Sequence, residues 1–261
     1  MPPGLTAVLL SLAFAGILSA RGVVPYKTEF RTPWRRAAAF ALWVVVLAFV
    51  VFLPVSSTGA DGPPRLDEGS FALLFVGHAA LCLFLLLWWA LRGDIALSRF
   101  LYLEGHPALL ARRLMIGVAA GLSGWALTLT VTAIVASIWF QGTRSLPEVD
   151  VPEVVLWMVE LPAIQKSALI LVAMTVEEAF FRAFLQPRLG LLLSSVCFGL
   201  SHFSYGLPFL VVGVFVVSLF LGWLFQRTQH LLPSIVAHGV FDAVQLFLVL
   251  PWAAKHAAYF S

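Results

Sequence analysis

Apolar residues in this chain run in long blocks separated by short polar and basic stretches. Eight blocks stand out: Leu5–Ala20, Ala37–Val55, Phe71–Leu91, Leu114–Phe140, Pro162–Phe181, Leu189–Phe203, Pro208–Gln226 and Leu231–Leu250. Most approach the roughly 20 residues with which a helix crosses a hydrocarbon core. The pattern predicts an all-α fold, a polytopic membrane helix bundle of about eight transmembrane helices. The first block has no basic residues before it and ends in a poor cleavage site, Leu18-Ser19-Ala20, so it is expected to be an uncleaved helix rather than a signal peptide.

Composition changes the picture little. Of the 261 residues 61% are hydrophobic and only 11% charged, where a soluble domain has about 25% charged. A soluble protein of this make-up would expose large sticky patches, which a bilayer removes. Low charge and high hydropathy exclude a disordered chain, and two cysteines, Cys82 and Cys197, exclude a disulfide-stapled scaffold. The net charge of +3 is the balance that basic cytoplasmic loops produce, so no nucleic-acid partner is expected. Only three basic residues are lysines, Lys27, Lys166 and Lys255. With the wealth of Ala, Leu and Val, this suggests a GC-rich bacterial genome and hence a bacterial inner membrane.

The basic residues also set the sidedness. Arg21, Lys27, Arg31, Arg35 and Arg36 follow the first block, and Arg92, Arg99, Arg112 and Arg113 follow the third. Arg182, Arg188 and Arg227 fall on the same side, against Arg65, Arg144, Lys166 and Lys255 opposite. The opposite loops carry acids instead: Asp61, Asp67, Glu68, Glu148, Asp150 and Glu153. The positive-inside rule then places both termini outside.

The two halves differ in kind. Residues 1–155 hold four spans nearly free of ionisable groups, His78 excepted, and a lone histidine in a span reads first as hydrogen-bonded packing. Residues 156–261 carry ionisable groups inside their apolar blocks and are expected to be the catalytic core. A charge at mid-bilayer costs at least about 2.5–3.5 kcal/mol, so such groups mark function by default. Glu178 and Arg182 are four apart with the acid first, the favoured orientation for an ion pair on one helix face. Glu177 is turned roughly 100° away, which leaves it to do proton work. Phe198 and His202 share a face one turn apart, as do His238 and Asp242. Water between Glu177 and His202 could be activated by general-base transfer, with His238 and Asp242 facing the developing oxyanion. Peptide hydrolysis within the membrane suits that set. From Arg182 to Gly190, with Pro187 inside it, the chain is expected to run along the inner surface before the sixth helix enters.

Glu177-Glu178-x-x-x-Arg182, Phe198-x-x-x-His202 and His238-x-x-x-Asp242, in that order on successive membrane helices, resemble the CPBP family. That family comprises CAAX prenyl endopeptidases and bacterial relatives that process bacteriocins or sort proteins. The resemblance covers roughly residues 160–250. It implies a glutamic-type intramembrane endopeptidase in which Glu177 and His202 activate water and His238 with Asp242 forms the oxyanion site. Glu178, Arg182 and Phe198 would support them, without metal or cofactor. The substrate would be a membrane-anchored protein or peptide, cut in C-terminal or leader processing; the oligomeric state is left open. Prenyl-protein enzymes carry Asn where Asp242 stands, and an ionised Asp cannot donate to an oxyanion. Asp242 must therefore be protonated or must orient His238, and the departure weakens a prenylated substrate more than it weakens proteolysis.

Three other readings use the same residue types. Gly121-Leu122-Ser123-Gly124 is like the serine motif of rhomboid proteases, with Ser123 as nucleophile. Glu177, His202, His238 and Asp242 form an acceptable zinc set for a metal-dependent protease, though no His-Glu-x-x-His occurs. A proton-coupled transporter, or a non-catalytic scaffold, would also keep ionisable groups in its spans.

Overall fold

Backbone polar groups inside a bilayer must be satisfied within the protein, which leaves helices as the form these apolar blocks can take. The structure, a computed structural model, describes residues 2–22, 29–56, 70–144, 153–203 and 208–256, and among them there is no strand. Helix α1 is Pro3–Ala20, α2 Pro33–Ser56, α3 Phe71–Arg92 and α4 Pro107–Thr143. Helix α5 is Ala163–Glu178, continued in π geometry by Ala179–Leu185, and α6 is Gln186–Ser201. Pro208–Thr228 forms α7, and α8 is Leu231–Val244, continued through the π segment Gln245–Val249 into Leu250–His256. The expected division at residue 155 falls inside a short helix, Glu153–Glu160. The acids Asp61, Asp67, Glu68, Glu148 and Asp150 and the bases Lys27 and Arg65, used above for sidedness, lie outside the described residues.

Six of these helices are long and apolar enough to cross a membrane: α1 to α4, α7 and α8. The fifth and sixth blocks differ for readable reasons. Helix α5 with its π turn carries Lys166, Glu177, Glu178 and Arg182, too many charges for a lipid-facing span. Helix α6 is interrupted at Gly190, whose φ of 79° and ψ of 171° no residue with a side chain adopts readily. The stretch from Arg182 to Gly190, expected to run along the inner surface, is helical up to that break. The helix continues through Arg182 in π geometry and on through Pro187, and the break comes at Gly190. Proline removes an N–H and crowds the carbonyl four residues back; the widened π turn just before it relieves that crowding.

Packing arranges the bundle around α5. Helix α1 lies on α2, α2 on α3 and α6, α3 on α5, and α5 on α8, while α4 lies outside against α7 and α8. All seven residues of Ala179–Leu185 are buried. Phe184 is the hub, with ring centroids 4.9 Å from Phe84 and Trp88, 5.5 Å from Trp43 and 5.7 Å from Phe180. Each such pair adds about 0.5–1.5 kcal/mol beyond area burial, which matters where helices gain no hydrophobic drive from lipid. The outward surface is apolar, as Leu122, Leu129, Ile134 and Ile138 of α4 show.

Basic helix ends gather at one end of the bundle. Arg92, Arg99, Arg188, Glu29 and Gln229 line a concavity of about 520 Å³ there. Arg188 donates to Glu29 at 2.9 Å and lies over the Phe184 ring at 4.0 Å, while the Trp88 indole N–H donates to the same carboxylate at 3.1 Å. The segment before α2 is thus tied to the junction of α5 and α6. The Leu231 amide donates to the Tyr102 carbonyl at 3.0 Å, which brings the start of α8 to this end as well.

Candidate active site

Glu177 and Glu178 close the regular part of α5, and their neighbours separate them as helix geometry requires. Glu178 is fully buried, with no exposed side-chain surface, and so is Arg182. The Arg182 Nε–H donates to Glu178 Oε2 at 3.0 Å, as the i, i+4 spacing predicts. A second guanidinium N–H donates to Ser218 Oγ of α7 at 3.1 Å, and the guanidinium lies 5.2 Å from the Phe198 ring centre. Burying two ions costs several kcal/mol each unless they are paired and hydrogen-bonded, and this arrangement supplies both.

The other oxygen of Glu178 takes up His238. Nδ1 of His238 is 3.0 Å from Glu178 Oε1, and its Nε2 is 3.4 Å from Asp242 Oδ2. The ring is held between two carboxylates, one from α5 and one from its own helix a turn on. Asp242, a quarter exposed at its side chain, is therefore placed to orient His238, one of the two roles left open for it. A Cβ at Gly239 would meet only the flexible end of the Met174 side chain of α5, which marks where α8 and α5 pack together.

Glu177 faces away from this network, but it is not left unpaired as the sequence reading had it. His78 of α3 reaches it, with Nε2 3.1 Å from Glu177 Oε1 and both side chains 15% exposed. The histidine read as packing is in contact with the proposed base. What could have singled it out was its isolation, as the one ionisable residue within the first four spans.

His202 ends α6. Its Nδ1 lies 2.9 Å from the Phe198 carbonyl and 3.0 Å from Ser201 Oγ. A carbonyl only accepts, so Nδ1 carries the hydrogen and the basic lone pair is at Nε2. Phe198 stacks near both imidazoles, with centroids 4.8 Å from His202 and 6.0 Å from His238.

Glu177, His202 and His78 line one cavity of about 400 Å³. Apart from Ser201, its other walls are apolar, among them Phe49, Val50 and Leu53 of α2, Leu74 and Leu81 of α3, and Phe181. His238 and Asp242 do not line it; they stand behind Phe198 and Glu178. π segments occur beside each part of the site, in Ala48–Phe52, Ala179–Leu185 and Gln245–Val249, and such segments are frequent where function requires a side chain to be re-aimed. Among the described residues, no three His, Cys, Asp or Glu side chains converge as a set of metal ligands. Ser123 is exposed on the outer face of α4, and its hydroxyl donates to the Ala119 carbonyl at 2.8 Å.

Residues 159–244, about a third of the chain, match the family model described as "Rce1-like: Type II CAAX prenyl endopeptidase Rce1-like". The match covers the three motifs and is consistent with the CPBP resemblance; the family is one of membrane endopeptidases. No curated protein and no solved structure matches the chain.

Proposed function

We propose that this integral membrane protein is an intramembrane endopeptidase of the glutamic type, with Glu177 as the general base. The observation that carries the reading is the placement of Glu177 and His202 on two walls of one cavity that opens among apolar side chains. Water entering that cavity would lie between the Glu177 carboxylate and the lone pair of His202 Nε2. Glu177 takes one proton from it as the oxygen attacks a peptide carbonyl, and the carbonyl oxygen becomes an oxyanion. The oxyanion then re-forms its double bond as the C–N bond breaks, and the same proton goes to the leaving nitrogen, so that one water and one peptide bond yield a carboxylic acid and an amine.

His238 would supply the hydrogen-bond donor of the arrangement. The 3.4 Å contact of its Nε2 with Asp242 is looser than the 3.0 Å contact of Nδ1 with Glu178. The Nε2–H is thus the donor that an oxyanion would share with Asp242, while Glu178 holds the ring through Nδ1. Phe198 would have to yield for the oxyanion to reach it. No metal enters this scheme. The apolar cavity walls suit a membrane-anchored protein or peptide whose scissile segment unwinds within the bilayer.

The test uses as substrate the membrane-bound protein that accumulates uncut in a strain lacking this chain. Glu177→Ala and His202→Ala should each lower cleavage by about 100-fold or more, the usual range for general acid–base groups, while the protein remains folded in the membrane. A chelator should leave wild-type cleavage unchanged. Cleavage at the wild-type rate by Glu177→Ala would overturn the mechanism.

A further inference from the structure

We infer that His78, outside the segment that matches the family model, is a positioning residue for Glu177; the inference rests on the reading of Glu177 as the base. Helix α3 is interrupted at Leu74 and Phe75, and the imidazole of His78 takes the Leu74 carbonyl at this break, with Nδ1 3.0 Å from it. Because that oxygen can only accept, Nδ1 must carry a hydrogen, which fixes both the ring orientation and which nitrogen faces α5. Nε2 then meets Glu177 Oε1 at 3.1 Å, and because an ionised carboxylate also only accepts, Nε2 carries the second ring hydrogen and donates it, the pair being imidazolium and carboxylate.

The consequence is geometric. A glutamate side chain has three rotatable bonds, and the surroundings of Glu177 on this side, Leu74, Leu81 and Phe181, offer it no polar hold. With Oε1 anchored to a ring that is itself anchored to backbone, Oε2 is the oxygen presented to the cavity and to His202. A carboxylate held in this way keeps one lone-pair direction on the attacking water, and losing such alignment by an ångström can cost about 100-fold in rate. The first four helices would thereby do more than shelter the site from lipid. Helix α3 would hold the base in its working orientation, and α2 and α3 would make the apolar wall opposite it.

The full-length protein in its membrane carries the test, with kcat and KM measured for His78→Leu, His78→Gln and His78→Asn beside Glu177→Ala. His78→Leu should lower kcat about 100-fold with KM little changed. Gln can still reach and donate to Oε1, so His78→Gln should recover most of the rate. Asn is one methylene shorter and should not. A role confined to packing would make Gln and Asn alike, and that result overturns the inference. Wild-type kcat in His78→Leu overturns it too. If His78→Leu is lost from the membrane, the contrast between Gln and Asn decides alone. Should Glu177→Ala prove inactive while every His78 variant cleaves normally, the positioning role falls and the base remains. If Glu177→Ala itself cleaves, the base falls and the positioning role with it.

Discussion

Helices α4 and α5 are both long, and they meet the membrane in opposite ways. After Arg113, α4 has no ionisable residue up to its end at Thr143. Its buried residues are Gly117, Gly121, Gly124 and Thr128, a narrow stripe against α7 and α8. The rest of α4 turns leucine and isoleucine outward, where lipid asks nothing of them. Helix α5 ends in two glutamates and an arginine, and the π turn that holds the arginine is buried at every position. Lipid would not tolerate those groups; five neighbouring helices do, because they bring partners with them. His78 comes from α3, Ser218 from α7, His238 and Asp242 from α8, the Phe198 ring from α6, and α2 closes the cavity. Charge inside the membrane is therefore a property of the surroundings of a helix more than of the helix itself.

Removing the partner of a buried charge should break that contrast most severely. Glu178→Ala leaves Arg182 and His238 without their shared carboxylate. It should cost about 3–5 kcal/mol, seen as a lower thermal midpoint in detergent and a smaller yield of folded protein. Wild-type melting would mean that Arg182 does not depend on Glu178. An intermediate effect is expected on the other side of the comparison. A Cβ at Gly121 would lie 2.7 Å from the Ala237 carbonyl oxygen and from Val240 Cβ. Gly121→Leu should therefore push α4 off α8 and cost about 1–3 kcal/mol; an unchanged thermal midpoint would contradict that docking. The smallest effect belongs to Ser123. Its hydroxyl is bonded only to its own helix, so Ser123→Ala should leave cleavage intact and stability within about 0.5 kcal/mol. Loss of cleavage in that variant would restore a serine nucleophile.

Local spacing made part of the site readable before any coordinates. Glu178 with Arg182, Phe198 with His202 and His238 with Asp242 are each four residues apart on one helix, and each pair is in contact. The pairing of Glu177 with His78 was not readable, because 99 positions separate them and neither periodicity nor spacing links one span to another. The helical form of the chain after Arg182 was not readable for a related reason. Pro187 is a helix breaker by its own chemistry, but whether a helix stops there depends on whether a wider turn can absorb it, and the packing around Phe184 holds such a turn in place.

From sequence alone, then, came what depends on each residue and its near neighbours. Long apolar blocks must be helices in lipid, the basic ends belong together, and ionisable groups in the last hundred residues mark the candidate site. Tertiary structure decided what depends on which helix lies beside which. It gave Glu177 its partner, placed His238 between two carboxylates, turned Ser123 to the outside and made α2 and α3 a wall of the cavity. The reason is the bilayer itself: apolar faces pack on lipid about as well as on one another. Hydropathy therefore shows which segments enter the membrane but little of their arrangement, which rests on the few polar contacts and close-packed small residues that only the folded bundle brings together.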